Sequence, residues 1–164
     1  PFVALIGQEW FDGSKHHMHF KKEITINKGD LEQMAAQIRT HLTEQQLAYA
    51  IWTGDKTGKN KSVQMKGGLD NWRWFAKEFN INTNRLRIKG KNPSLVNNQK
   101  LCNYILSTHP DFLIDKNMTF TINDMLYVES DHNGDIKKKN RAKQEQRADH
   151  LDCVRYAINE FCTM

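Results

Sequence analysis

Two β-type runs open the chain, Phe2 to Phe11 ("FVALIGQEWF") and His16 to Ile26 ("HHMHFKKEITI"). The Asp12-Gly13 pair in the "DGSK" between them is a hairpin turn signal, so the pattern predicts two antiparallel strands. The spacing then changes. Leu31, Met34, Ala35, Ile38 and Leu42 form an apolar stripe of helical period, and Asp30 with Gln33 makes a capping box at its start. "LAYAIW" (47–52) is a short apolar run that predicts a strand buried on both faces, with a glycine-containing loop at its C-terminal end. "GLDNWRWFAKEF" (68–79) is expected to be helical, "RLRIK" (85–89) an alternating strand, and "SLVNNQKLCNYIL" (94–106) a helix announced by Asn92-Pro93-Ser94. "DFLID" (111–115) reads as a strand, "TINDMLYV" (121–128) as a helix, and "DHNGDIKKK" (131–139) as a hairpin about Asn133-Gly134 in which Asp131 and Asp135 are turn residues. In the closing segment Leu151, Val154, Ala157, Ile158 and Phe161 form a last helical stripe. Alternation of strand and helix predicts an α/β fold, a central sheet with helices packed on it, in one domain spanning residues 1–164.

Composition narrows the class. Hydrophobic residues make up 38% and charged ones 26%, and no apolar run approaches the roughly 20 residues needed to span a bilayer. No export signal is read at the start of the sequence. Cys102, Cys153 and Cys162 are an odd set without CxxC spacing, which predicts reduced, buried thiols and argues against a zinc site. The net charge of +5 is unevenly spread: Lys56, Lys59, Lys61 and Lys66 surround the glycine loop, Arg85, Arg87, Lys89 and Lys91 alternate, and Lys137, Lys138, Lys139, Arg141, Lys143 and Arg147 form a third cluster. That pattern suggests a polyanionic partner, although a single cluster alone is better explained as an ordinary solvated face.

The loop "GDKTGKNKS" (54–62) invites a phosphate-cradle interpretation and fails it. A Walker loop places four residues between its glycines and then Lys-Ser or Lys-Thr; here Asp55, Lys56 and Thr57 intervene and Asn60 follows the lysine. An aspartate inside the cradle would also repel phosphate. The alternative is a carboxylate, Asp55, presented at a strand end, with glycines allowing close approach of a ligand, or else a turn-former that hydrogen-bonds its own backbone, and Asp55 alone does not decide between them. Asp149 and Asp152, three apart at the start of the last helix, could join Asp55 around a metal, or could serve only as cap and first-turn acids. Among His16, His17 and His19, adjacent strand residues face opposite ways, so only His17 and His19 could cooperate, and a polar strand face explains them more simply. Trp52, Trp72 and Trp74 fit core positions better than a base-stacking platform.

Taken in order, "GDKTGKNKS", "LDNWRWFAKEF", "KGKNPSLVNNQKLCNYIL", "NGDIKK" and "ADHLDCVRYAI" resemble the C-terminal nuclease domain of the large terminase subunit of tailed bacteriophages. The resemblance covers nearly the whole chain. Gly54, Asp55, Gly58 and Ser62 match that family's second acidic motif, Asn92 and Pro93 its middle segment, and Asp152 to Tyr156 its last motif. It implies an RNase H-like fold with a central mixed sheet flanked by helices, and cutting of concatemeric double-stranded DNA during packaging. The family's first strand and first acid would precede Pro1, so the resemblance implies a truncated domain that is weakly active or inactive alone. It implies two Mg2+ or Mn2+ ions held by Asp55 and Asp152, with Asp149 as a third ligand, acting in phosphodiester hydrolysis. Lys56, Lys59, Lys61, Lys137, Lys138, Lys139, Arg141 and Lys143 would contact DNA phosphates without reading sequence. By the same resemblance the partners are a terminase ATPase domain, the small terminase subunit and the portal protein, in the cytoplasm of a bacterial host. A non-catalytic DNA-binding or assembly module on the same fold is the alternative.

Overall fold

The computed structural model describes residues 1–59, 70–88, 90–130, 136 and 148–162. The architecture is α/β, with a three-stranded mixed sheet and, among the described residues, six α-helices. Strands β1 (Phe2–Asp12) and β2 (Lys15–Ile26) form the expected hairpin, turning where Gly13 adopts a positive φ of 59° that a side chain would resist. The third strand, β3 (Phe112–Ile114), lies parallel to β2 with Met18 opposite Phe112 and Phe20 opposite Ile114, giving the order β1-β2-β3.

The chain forms two compact units, one of residues 1–2 and 26–92, the other of residues 3–25 and 93–164. In the first unit, helix α1 (Leu31–Arg39) buries Leu31, Met34, Ala35 and Ile38, and its capping box is closed from both sides, Asp30 with the Gln33 N–H and the Gln33 side chain with the Asp30 N–H. Helix α3 (Asn71–Glu78) starts at Asp70, whose carboxylate accepts from the Arg73 N–H at 2.8 Å. Arg39 ties α1 to the end of α3, donating to the Glu78 carboxylate at 2.6 Å and lying 4.8 Å from the centre of the Phe79 ring. Trp52 stacks on Phe79 at 5.0 Å and Trp74 meets Phe75 edge-on, so these two tryptophans are packing residues, as expected.

Two strand expectations fail in this unit. "LAYAIW" is split: Glu44–Tyr49 is a short helix, α2, and only Trp52 pairs, in an isolated parallel bridge with Leu86. A second capping box decides the matter, because Thr43 accepts from the Gln46 N–H while the Gln46 side chain accepts from the Thr43 N–H. "RLRIK" shrinks for a related reason: Thr83–Arg85 closes a 3-10 turn capped by Asn82, leaving Leu86 alone to bridge.

In the second unit helices α4 (Leu95–Thr108), α5 (Thr119–Tyr127) and α6 (Asp149–Phe161) pack with the sheet. Their core joins Met18 and Phe20 of β2 to Cys102 and Ile105 of α4, Met118, and Val154, Ala157 and Ile158 of α6. The three cysteines are free thiols, and burial pushes Cys102 and Cys162 up to about 11. An antiparallel bridge joins Ser130 to Ile136 on either side of the Asn133-Gly134 signal, whose own residues, with Asp131 and Asp135, lie outside the described set. Among the described residues no helix is long and apolar enough to cross a membrane.

Candidate functional site

Asp55 follows the Trp52 bridge and precedes a 3-10 turn, Lys56–Lys59, so it does sit at the end of a β element, though one reduced to a single bridge. Its carboxylate is held from two directions. Oδ1 accepts from the Thr57 N–H and from the Asn92 side-chain amide, each at 2.8 Å, and Oδ2 accepts from the Thr57 hydroxyl at 2.7 Å. Asn92 in turn accepts from the Lys56 N–H at 2.9 Å through its Oδ1. Because one face of the amide must donate and the other accept, this pair of bonds fixes which way the amide is turned. Partial burial pulls the Asp55 carboxyl upward, but the bonds from Asn92 and Thr57 outweigh it and hold the pKa below its ordinary value.

The two glycines have a different task from the one expected. A Cβ on Gly54 would stand 2.9 Å from the Trp72 ring, and one on Gly58 would stand 2.8 Å from Trp72 Nε1. The same Nε1–H donates to the Asp55 backbone carbonyl at 2.8 Å. Gly54 and Gly58 therefore make room for an indole that braces the loop from within, and Trp72 belongs to the loop as well as to α3.

Asp149 and Asp152 lie in the first turn of α6, in the other compact unit from Asp55. Asp149 is not the N-cap; Ala148 holds that position with a φ of 57° and has no side chain able to cap. The cap comes from α5 instead: buried Asp124 accepts from the N–H groups of His150 at 2.9 Å and Leu151 at 3.2 Å. Asp152 is paired with Arg155 at 2.6 Å, and Arg155 Nε donates to Asn98 Oδ1 at 2.7 Å, a contact that ties α4 to α6 in the interior.

No protein-family model, curated protein or solved structure matches this chain.

Of the side chains expected at the site, Asp55 and Lys56 share one loop with Asn92, while the side chain of Lys59 and all of Lys61, Lys137, Lys138, Lys139, Arg141 and Lys143, together with Ser62, lie outside the described residues. Among the described residues no group of three or more His, Cys, Asp or Glu side chains is arranged to hold a metal ion. Taken singly, Asp55 suits a hard divalent cation: it is ionised, it offers only oxygen, and the three bonds from described residues leave one of its roughly four acceptor directions, on Oδ2, for another partner. At Asp152 a cation has to share the carboxylate with a guanidinium.

Sequence reasoning overlooked Asn98, Arg155, Asp124 and the side-chain role of Asn92. A signal existed for the first. Asn98 lies four and seven residues before Cys102 and Ile105 on one helical stripe, and a polar residue in an apolar stripe demands an internal partner.

Proposed function

We propose that this chain is the metal-dependent nuclease domain of a phage DNA-packaging terminase, with an RNase H-like fold, acting on double-stranded DNA. The observation that carries this is the meeting of two motifs 37 residues apart, Asn92 of "KNPS" donating its amide to the Asp55 carboxylate of "GDKTG". A turn-forming aspartate needs only its own loop; a distant amide that lowers the pKa and fixes the rotamer is what a ligand-holding carboxylate requires. Asp55 would hold Mg2+ or Mn2+. Such ions, when bound, activate water and stabilise the leaving oxygen of a phosphodiester. Lys56 and the lysines around it offset phosphate charge without selecting sequence.

The test pairs Mn2+ titration calorimetry with relaxation of supercoiled plasmid by the 164-residue chain. Mn2+ should support slow nicking, which Asp55→Asn abolishes while weakening Mn2+ binding at least tenfold. An uncut plasmid together with Mn2+ binding indifferent to Asp55→Asn rejects the proposal. A second reading, a non-catalytic DNA-binding or assembly module, is favoured by one contact, the Arg155 guanidinium that already compensates Asp152. It predicts DNA binding that weakens steeply with salt and has no dependence on Mn2+.

A further inference from the structure

The histidines near the β1–β2 turn do pair, but through a partner that strand alternation could not show. His16 Nδ1 lies 3.2 Å from Nε2 of His109, 93 residues away at the C-terminal end of α4. On its other side, His16 Nε2 is 3.0 Å from Glu9 Oε1 on β1. A carboxylate only accepts, so His16 carries its proton on Nε2 and presents the Nδ1 lone pair towards His109. Both rings are held by packing. Phe11 stacks on His16 at 4.8 Å, and His109 meets His16 edge-on with ring centres 5.2 Å apart and Phe112 edge-on at 6.4 Å.

We infer that His16 and His109 form a two-imidazole site for a borderline transition-metal ion such as Zn2+, with Glu9 as the carboxylate that orients His16. Two observations converge on this. Two metal–nitrogen bonds of about 2.0–2.1 Å meeting at 90–110° separate their nitrogens by about 2.9–3.4 Å, and the pair stands at 3.2 Å. The Glu9–His16 contact reproduces the carboxylate–histidine arrangement that fixes the tautomer and raises ligand basicity around protein-bound metals.

The surrounding charge also favours a cation. Glu9 and Asp111 are acidic, Lys15 compensates Asp111 at 2.9 Å, and His17 has its own neighbours, Asp111 at 3.6 Å and Trp10 stacked at 4.9 Å. Solvent would complete the coordination sphere, since only two protein ligands face each other. The ligand set selects by softness: imidazole suits Zn2+, Ni2+, Cu2+ and Co2+, whereas the oxygen-only carboxylate of Asp55 suits Mg2+ and Mn2+. The site would pin the end of the hairpin to the end of α4.

Zn2+ titration of the chain, with the Cu2+ electron paramagnetic resonance spectrum as a count of nitrogen ligands, tests the assignment. One Zn2+ per chain should bind, Cu2+ should show coupling to two imidazole nitrogens, and the melting temperature should rise with added Zn2+. His16→Ala and His109→Ala should each abolish the site, and Glu9→Gln should weaken it about 10–100-fold. His41→Ala and Asp55→Asn should leave it intact, which separates it from the carboxylate site. Absence of Zn2+ binding, or binding that survives His109→Ala unchanged, overturns the inference. If His109→Ala does not fold, a two-nitrogen Cu2+ spectrum retained in Glu9→Gln and lost in His16→Gln supports it, and a spectrum unaffected by His16→Gln rejects it.

Discussion

Asn92 holds the Asp55 loop by two bonds, accepting from the Lys56 backbone and donating to the carboxylate. Asn92→Ala removes both and should cost about 1 kcal/mol, a figure reduced from that of a buried charged bond because the loop is exposed. The sign of its pH dependence follows from the lowered pKa of Asp55. A carboxyl whose folded pKa is depressed stabilises the fold above its unfolded value, and that contribution disappears as pH falls through the folded value. The gap in urea midpoint between the parent and Asn92→Ala should therefore be widest at neutral pH and close on acidification across the interval just below the ordinary carboxylate range. Gly58→Ala tests the indole brace. The new methyl would meet Trp72 Nε1 at 2.8 Å, so a loss of about 1–3 kcal/mol in urea unfolding is expected.

At the scale of elements, local chemistry governs some helix starts and distant residues govern others. Helices α1, α2, α3 and α4 carry their own caps in Asp30, Thr43, Asp70 and Ser94. Helices α5 and α6 do not. Glu23 of β2 accepts from the Phe120 and Thr121 N–H groups at 3.0 and 2.8 Å, and Asp124 serves α6, so strand orders helix and helix orders helix. Asp124 is 2% exposed, and its removal strands two N–H groups in the interior. Asp124→Ala should cost about 2–3 kcal/mol in thermal or chemical unfolding, and Asp124→Asn, which keeps an acceptor oxygen, clearly less.

At the scale of the molecule the excess of positive charge remains the strongest argument for a polyanionic partner. Replacing Lys137, Lys138 and Lys139 together by Ala should reduce the slope of log K against log salt for double-stranded DNA by roughly 2–3, since each phosphate contact contributes about 0.9. An unchanged slope would remove that cluster from the proposed DNA contacts.

Much of the order of elements was legible along the chain, because the Asp30 capping box, the Gly13 turn, the Asn92-Pro93-Ser94 start of α4 and the apolar stripes of α1 and α6 are short-range signals. "LAYAIW" and "RLRIK" misled for the same reason: short apolar or alternating runs carry no period long enough to tell strand from helix, and nearby caps at Thr43 and Asn82 won. The sequence by itself singled out Asp55 as the point of its loop. Only tertiary structure decided what holds it, Asn92 across 37 residues, and what Gly54 and Gly58 are for, the Trp72 indole. It alone paired His16 with His109 and Arg155 with Asn98. Side-chain hydrogen bonds between distant residues leave no periodic trace, because each depends on where two separate backbones bring their Cβ atoms and not on spacing within either one.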